Sequence, residues 1–464
     1  MKSAFDPEAF RSLGHQLVDQ LADYLRDVPS LPVLPWREPA EHVAAWPVDG
    51  VARGERAAFD LLARVVAESN HLHHPRYVGH QVTSPLPIAA LCDLVSSLLN
   101  NGNAVYEMGP VVTAMERNLV RFLAATLGFP DGADGVLTSG GSAGNLTALL
   151  AARQAKAGFD AWGGGATAGP PLAVLASEQT HYCIARSLQI MGLGKAGAQP
   201  VPVDARFRLR VDALDAARRA AEASGRKVIA VVASAGSTAT GAFDPLAEVA
   251  DFCAEHDLWL HVDGAHGASA VLSEQQRPRL RGIERADSVV WDAHKMMLMP
   301  ALVTAVLFRD GARSYEPFAQ EASYLFSGAA PEEQWFNLAG RTLECTKSMM
   351  ALKLYVALAA YGREYFADYV DGRFALAQRF ADALEAAEDF ELAVRPDCNI
   401  VCFRLRGADQ AAIRRRLLAE GRFYLVQTTL PAGVFLRVTL INPATSDADL
   451  AALLDAVRAA SAAT

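Results

Sequence analysis

The chain has 464 residues, with 43 lysines and arginines against 52 aspartates and glutamates, a formal net charge of −9. That balance argues against a phosphate-backbone binder, which carries a basic surplus, so nucleic acid is not an expected partner. Hydrophobic residues at 51% and charged residues at 20% supply a large core, and at about 150 residues per domain the length allows two or three domains.

The N-terminal residues MKSAFDPEAFRSLGHQLVDQLADYL lack the apolar run of a signal peptide. Phe10, Leu13, Leu17, Leu21 and Leu25 recur every three or four residues, the stripe of one helix face. Pro29, Pro32, Pro35 and Pro39 then stop regular structure until about Trp46. A helix followed by a Pro-rich strap is a poor independent domain, and a second subunit is the expected surface for it. From about residue 85, β-branched runs alternate with Ala-rich helical stretches. Strands are expected at Gly135–Thr138, Leu172–Ala176, Val228–Ala233, Trp259–Asp263, Ser288–Trp291 and Thr304–Phe308, with helices at Ala143–Ala157, Val211–Ser224 and Pro245–His256. Strand–helix alternation with continuous apolar strands predicts an α/β fold, a mainly parallel sheet covered on both faces. Such sheets bind ligands beyond the C-terminal ends of their strands.

Gly163–Gly165 and Ser327–Gln334 read as surface loops. Near Ser348 a third region begins: helices over Met349–Tyr361 and Tyr365–Ala387, strands at Ile400–Leu405 and Phe435–Leu440, and a final helix at Asp447–Ala460. The expected organisation is therefore an N-terminal segment 1–84, a large domain 85–347 and a small α+β domain 348–464. The charge-free stretch Met296–Phe308 spans 13 residues, short of the roughly 18 a membrane helix needs, so a core strand is expected and no membrane partner. Six scattered cysteines without a CxxC pair read as reduced thiols in a cytoplasmic protein.

Three segments can carry chemistry. Ser139–Asn145, reading SGGSAGN, follows an expected strand and opens an expected helix. Its glycines let backbone approach a ligand, and the helix N-terminus offers N–H groups to an anion. It is a phosphate cradle or an ordinary Gly-rich turn, and neither a Walker loop nor a good GxGxxG. Asp263 ends the strand LWLHVD. It is a carboxylate placed to meet a cationic ring nitrogen, or a cap for the following turn. Lys295 ends the segment VVWDAHK, just past an expected strand. It is a partly desolvated amine available for Schiff-base chemistry, or a surface lysine. Together they match the three contacts pyridoxal phosphate needs: a helix N-terminus for phosphate, an acid for the pyridine nitrogen, and a lysine for the aldehyde. The spacing 295 − 263 = 32 residues accommodates one helix and one strand. His181, past another expected strand, can stack on the pyridine face. His71, His73 and His74 are close in sequence but lack a partner cluster, so no metal is expected.

The chain resembles the group II pyridoxal-phosphate-dependent amino acid decarboxylases, which include aromatic-L-amino-acid, glutamate, cysteine-sulfinate and L-2,4-diaminobutyrate decarboxylases. The resemblance rests on His74-Pro75-Arg76-Tyr77, Tyr106–Pro110, the Gly-Gly-Ser run, Thr180-His181, His261–Ala265, Asp292–Lys295, and Arg437 with Asn442-Pro443, in family order from about residue 70 to 445. It implies fold type I (aspartate aminotransferase-like) and a homodimer with the N-terminal segment draped over the partner. It makes Lys295 the cofactor-bearing lysine, Asp263 the partner of the ring nitrogen, Ala265 the residue beneath the ring and His181 the stacking residue. Gly141, Ser142 and His294 would hold the phosphate together with Asp292, where the family often has Asn. Ser237 and Thr238 match strand-end hydroxyls near the ring, and Thr346 lies near the segment that reaches the partner subunit's phosphate. Tyr324 matches the mobile-loop tyrosine that returns a proton to the substrate carbon, where members with Phe tend to make aldehydes. Arg437 matches the arginine that binds a substrate carboxylate in glutamate-type members, or is a structural ion pair. His80 stands where glutamate-type members tend to have Gln and aromatic-type members an aromatic residue. The implied function is decarboxylation of an L-amino acid to an amine and carbon dioxide. The alternatives are a decarboxylation-dependent aldehyde synthase, transamination, carbon–sulfur lyase chemistry, and a non-catalytic binding protein.

Overall fold

The computed structural model describes residues 5–49, 54–318 and 334–462. Two compact units interleave along the chain. One comprises Met1–His80, Arg379–Ala393 and Cys402–Thr464, the other Gln81–Gln378 and Val394–Val401.

The second unit is built on a seven-stranded sheet of β1 (Asp134–Thr138), β2 (Leu172–Ser177), β3 (Ala198–Val201), β4 (Lys227–Ser234), β5 (Trp259–Asp263), β6 (Ser288–Asp292) and β7 (Thr304–Phe308), in the order β1-β7-β6-β5-β4-β2-β3. The run from β6 through β3 is parallel, and β7 pairs antiparallel with both β6 and β1. Every residue of β1, β2, β5, β6 and β7 is buried, the signature of a sheet covered on both faces. The six expected strands are present with ends within about one residue. The seventh, β3, escapes the apolar pattern because it is short and carries Pro200. A proline lacks the ladder N–H and is tolerated at a sheet edge, where β3 lies.

The helix after β1 runs Gly141–Lys156, starting two residues before the sequence expectation. Gly140, at φ 110°, makes the sharp exit from β1 that a side chain would strain. The helix lays Leu146, Ala148, Leu149, Ala151 and Ala152 into a core shared with Val136, Val174, Ile229, Val232 and Val290. Helices Leu214–Ala223 and Leu246–Glu255 follow β3 and β4 as expected. Two helices with no sequence expectation, Pro87–Leu99 and Pro110–Leu127, precede β1. The expected pair Met349–Tyr361 and Tyr365–Ala387 forms one run, Met350–Ala386, broken at Gly362 with φ 73°.

The first unit carries a four-stranded sheet of β8 (Phe390–Leu392), β9 (Ile400–Leu405), β10 (Val426–Leu430) and β11 (Gly433–Thr439), in the order β10-β11-β9-β8. Helices Gln410–Ala419 and Asp447–Ala462 accompany it. The N-terminal helix runs Pro7–Asp27, with the Asp6 side chain accepting from the Glu8 amide, and none of its residues is buried. The Pro-rich strap is less irregular than expected: Pro39, at a helix start where its missing N–H costs nothing, opens a short helix, Pro39–Ala45. The expected loop Ser327–Gln334 lies, apart from Gln334, outside the described residues. No helix among the described residues is long and apolar enough to cross a membrane.

Candidate active site

The C-terminal ends of β4, β5 and β6 and the N-terminus of the Gly141–Lys156 helix converge on one cavity of about 290 Å³. Gly141, Ser142, His181, Ser237, Thr238, Asp263, Ala265, Asp292, His294 and Lys295 all line it, with Asn145, Cys183, Ser234 and His266 among others. Ten sequence-named residues are thus brought to one place, where open α/β sheets bind ligands.

Asp263 caps β5 and is buried. Its carboxylate accepts from the Asn145 side-chain amide at 3.1 Å and from the Ala265 backbone N–H at 3.1 Å. Two donors on a buried acid offset its desolvation and fix its direction. Lys295 lies three residues past β6, with Nζ 3.1 Å from Asp292 Oδ2. The same carboxylate lies 3.5 Å from His294 Nε2 and accepts from Thr304 Oγ1 at 2.6 Å. Both Asp292 oxygens are therefore turned to donors of this chain. A carboxylate repels phosphate, so this geometry favours a counter-charge to Lys295 over the phosphate contact that the resemblance implies.

His181 Nδ1 accepts from the Cys183 backbone N–H at 3.3 Å, which leaves the proton of the neutral ring on Nε2. Burial pushes its pKa below the ordinary histidine value, with the Asp263 charge opposing and the Lys295 charge reinforcing the shift. An uncharged imidazole is the form suited to lie against a cationic pyridine ring. Burial, reinforced by Asp263, raises the neighbouring Cys183 thiol to about 12, so it stays protonated. Ser237 Oγ is 3.1 Å from Thr240 Oγ1 and accepts from the Ala242 amide at 3.2 Å.

The glycine at the helix mouth stands in a tight place. A Cβ at Gly141 would stand 3.1 and 3.2 Å from the Asp292 oxygens and 3.5 Å from Ala265 Cβ. With no side chain there, the first N–H groups of the helix stay open to an anion. A phosphate at this terminus, a pyridine nitrogen at Asp263 and an aldehyde at Lys295 fit the residues present.

The remaining sequence-named residues lie elsewhere. Tyr324 is outside the described residues. Thr346 is exposed and does not line the cavity; its neighbour Glu344 accepts a short hydrogen bond from Ser139. His80 and Arg437 belong to the other compact unit. There Arg437 is buried on β11, and burial followed by the Arg437 charge lowers the His80 pKa. His71 Nδ1 meets the Tyr24 hydroxyl at 3.2 Å and His74 Nδ1 accepts from the Arg76 amide at 3.0 Å, local contacts for two of the three clustered histidines. Among the described residues no group of three His, Cys, Asp or Glu is arranged to hold a metal ion.

The family profile described as pyridoxal-dependent decarboxylase conserved domain matches residues 58–406. The chain belongs to this family. It is 30% identical to aromatic-L-amino-acid decarboxylase from Bacillus atrophaeus over 97% of this chain and 95% of that one. It is 31% identical to human cysteine sulfinic acid decarboxylase over 91% and 90%, and 32% identical to L-2,4-diaminobutyrate decarboxylase from Rhizobium meliloti over 89% and 83%. The crystal structure of mouse CSAD superposes with a TM-score of 0.90 at 27% identity, covering 98% of this chain and 99% of that one. The protein is a pyridoxal-phosphate-dependent carboxy-lyase of fold type I, converting an amino acid to an amine and carbon dioxide.

Sequence reasoning passed over Asn145, the residue that holds Asp263. Its signal was present: Asn145 stands four residues after Gly141, on the same face of the helix that opens at the cavity.

Proposed function

We propose that Lys295, Asp263 and His181 carry the catalytic work of this decarboxylase, with Gly141, Ser142, Ser237, Thr238, Ala265 and His294 shaping the cofactor seat. The observation that carries this reading is their convergence on one cavity with a free helix N-terminus. Pyridoxal phosphate, when bound, supplies an electron sink for the pair released as the Cα–carboxylate bond breaks. Asp263, fixed by Asn145 and the Ala265 amide, holds the proton on the ring nitrogen. His181 covers one ring face and excludes water from it. Lys295 would anchor the aldehyde, and Asp292, 3.1 Å from its Nζ, would serve as counter-charge when the amine is protonated. Tyr324 returns the proton to Cα, a role that rests on the resemblance alone. Arg437 binds a substrate carboxylate with His80 beside it. The reading of Arg437 is supported by a buried guanidinium whose field reaches His80.

The protein acts on an L-amino acid as a cytoplasmic homodimer with neither nucleic acid nor membrane as a partner. The dimer is supported by apolar surface that one chain leaves in water: Phe10, Val18 and Leu21 on the N-terminal helix, and Leu91, Leu94, Val95, Leu98 and Leu99 on the helix Pro87–Leu99. In that assembly Thr346 reaches the partner's cofactor phosphate.

The test is a panel of L-amino acids, including diaminobutyrate, glutamate, aspartate, cysteine sulfinate, tyrosine, tryptophan and branched residues. Each is scored for carbon dioxide and amine with wild type, Lys295→Ala, Asp263→Asn and Arg437→Met. Equal yields of carbon dioxide and amine, lost in Lys295→Ala and reduced in Asp263→Asn, support the reading. An Arg437→Met variant with unchanged KM removes the substrate role of Arg437.

A further inference from the structure

Behind Asp263 a line of five polar side chains crosses the core. Trp259, His261 and Asp263 alternate onto one face of β5, two residues apart. His261 sits opposite Ser288 on β6, and Asn145 comes from the Gly141–Lys156 helix. Trp259 Nε1 donates to Ser288 Oγ at 2.9 Å, Ser288 Oγ meets His261 Nδ1 at 2.9 Å, His261 Nε2 meets Asn145 Oδ1 at 2.7 Å, and Asn145 Nδ2 donates to Asp263 at 3.1 Å. All five are buried, His261 and Ser288 at 0% exposure.

The two ends fix every proton in between. Asp263 accepts only, so the Asn145 –NH2 must face it and the Asn145 oxygen must face His261. His261 Nε2 must then carry hydrogen. At the other end the indole donates only, so Ser288 receives from Trp259 and gives its own hydrogen to His261 Nδ1. The neutral Nε2–H tautomer satisfies every link. An imidazolium would turn Nδ1–H onto Ser288, leave the serine hydrogen without an acceptor, and place a charge in a fully buried site. The second Asn145 hydrogen is taken by Cys183 Sγ at 3.3 Å. The amide is thus held at three points, and only one of its contacts is to the active-site carboxylate.

We propose that His261 is a positioning residue for the decarboxylation. As the Nε2–H tautomer it locks the Asn145 amide in the orientation that donates to Asp263, and so aims the Asp263 carboxylate into the cofactor cavity. The inference rests on the reading of Asp263 as the partner of the pyridine nitrogen and deepens it. His261 does not itself line the cavity; it acts through Asn145, which does. Aligned donors in a low-dielectric core reinforce one another, and the chain offers the carboxylate no alternative rotamer without breaking a link.

The experiment has two arms. In the first, wild-type protein labelled with [15N]histidine is followed by side-chain NMR without and with pyridoxal phosphate. The expected signal for His261, assigned by its loss in His261→Gln, is a protonated Nε2 and an unprotonated Nδ1 at pH 7 in both states. A protonated Nδ1 at pH 7 overturns the proposal whatever the activity.

In the second arm, His261→Leu, His261→Gln, Asn145→Ala and Asp263→Asn are compared by kcat, KM, pyridoxal phosphate affinity and the visible spectrum of the loaded enzyme. His261→Leu is expected to lower kcat about 10- to 100-fold, the factor a hydrogen bond to a charged group is worth, with KM within about threefold. It is also expected to shift the cofactor band in the same direction as Asp263→Asn does. Gln, whose amide can donate to Asn145, is expected to restore most of both. The His261→Leu/Asn145→Ala double variant should be no worse than Asn145→Ala, since both break one chain. If Asp263→Asn is impaired while His261→Leu keeps the wild-type spectrum and kcat, this proposal fails and the role of Asp263 stands. If Asp263→Asn is itself wild-type, the underlying reading fails.

Discussion

Burial of His261 makes a quantitative forecast about acid stability. Desolvation pulls the ring from 6.5 down to about 4, partly offset by the Asp263 charge and by a hydrogen bond to the Ser288 backbone. In the unfolded chain the ring takes up its proton near pH 6.5; in the folded chain it does so only near pH 4. Between those values the unfolded state binds more protons, so folding stability rises with pH through the window and falls as the solution is acidified. Well above pH 6.5 neither state is protonated and the term vanishes. The separation between 6.5 and about 4, at about 1.4 kcal/mol per pH unit, gives about 3.5 kcal/mol in full, most of it lost by pH 4.5. The matched pair is wild type and His261→Gln, because Gln keeps polar contacts and does not titrate. Urea denaturation of both apoproteins at one protein concentration, from pH 8 to pH 4.5, isolates the histidine. Whatever constant offset separates the two at pH 8, wild type should lose roughly 2–3 kcal/mol relative to the variant on acidification. Parallel pH profiles would show that His261 titrates alike in both states and would refute the account of a neutral histidine locked in the core.

Three further outcomes are expected. Lys347, fully buried against Glu116, should be costly to remove: Lys347→Met leaves a buried carboxylate with only Asn103 and the Leu137 amide. A loss of about 3–5 kcal/mol in urea denaturation is expected, largely recovered by Glu116→Gln in the same chain; an unchanged midpoint contradicts this. Gly141→Ala should weaken pyridoxal phosphate binding by about tenfold or more, because the methyl meets Asp292 and covers the helix mouth; equilibrium titration of the apoprotein measures it, and unchanged affinity refutes the cradle. Tyr324→Phe should still release carbon dioxide while consuming O2 and diverting product to aldehyde, ammonia and hydrogen peroxide; amine yield equal to carbon dioxide yield would remove Tyr324 from the protonation step.

The large sheet was legible because its strands are apolar on both faces, so Val228–Ala233 or Thr304–Phe308 can be read without knowing their neighbours. Strand β3 was hidden by Pro200, and β8 and β10 by brevity and half-exposed patterns such as Val426–Leu430. Lys295, Asp263 and the Gly140-Gly141 turn were readable individually because each follows a strand, where backbone direction fixes the side chain's destination. Asn145 and His261 were not, although both stand inside quoted motifs. Their importance lies in which face of a helix and a strand they share, and that depends on a register between elements 116 residues apart. The reading of Asp292 as a phosphate ligand followed the resemblance, while the geometry turns both its oxygens to Thr304, Lys295 and His294.

The central claim is tested most directly by carbon dioxide release from carboxyl-labelled L-amino acids, using purified protein reconstituted with pyridoxal phosphate, beside Lys295→Ala treated alike. The account expects at least one amino acid to yield labelled carbon dioxide and its amine in equal amounts with wild type, and none with Lys295→Ala. Equal release by Lys295→Ala, or turnover that leaves the carboxylate label on the product, would contradict it.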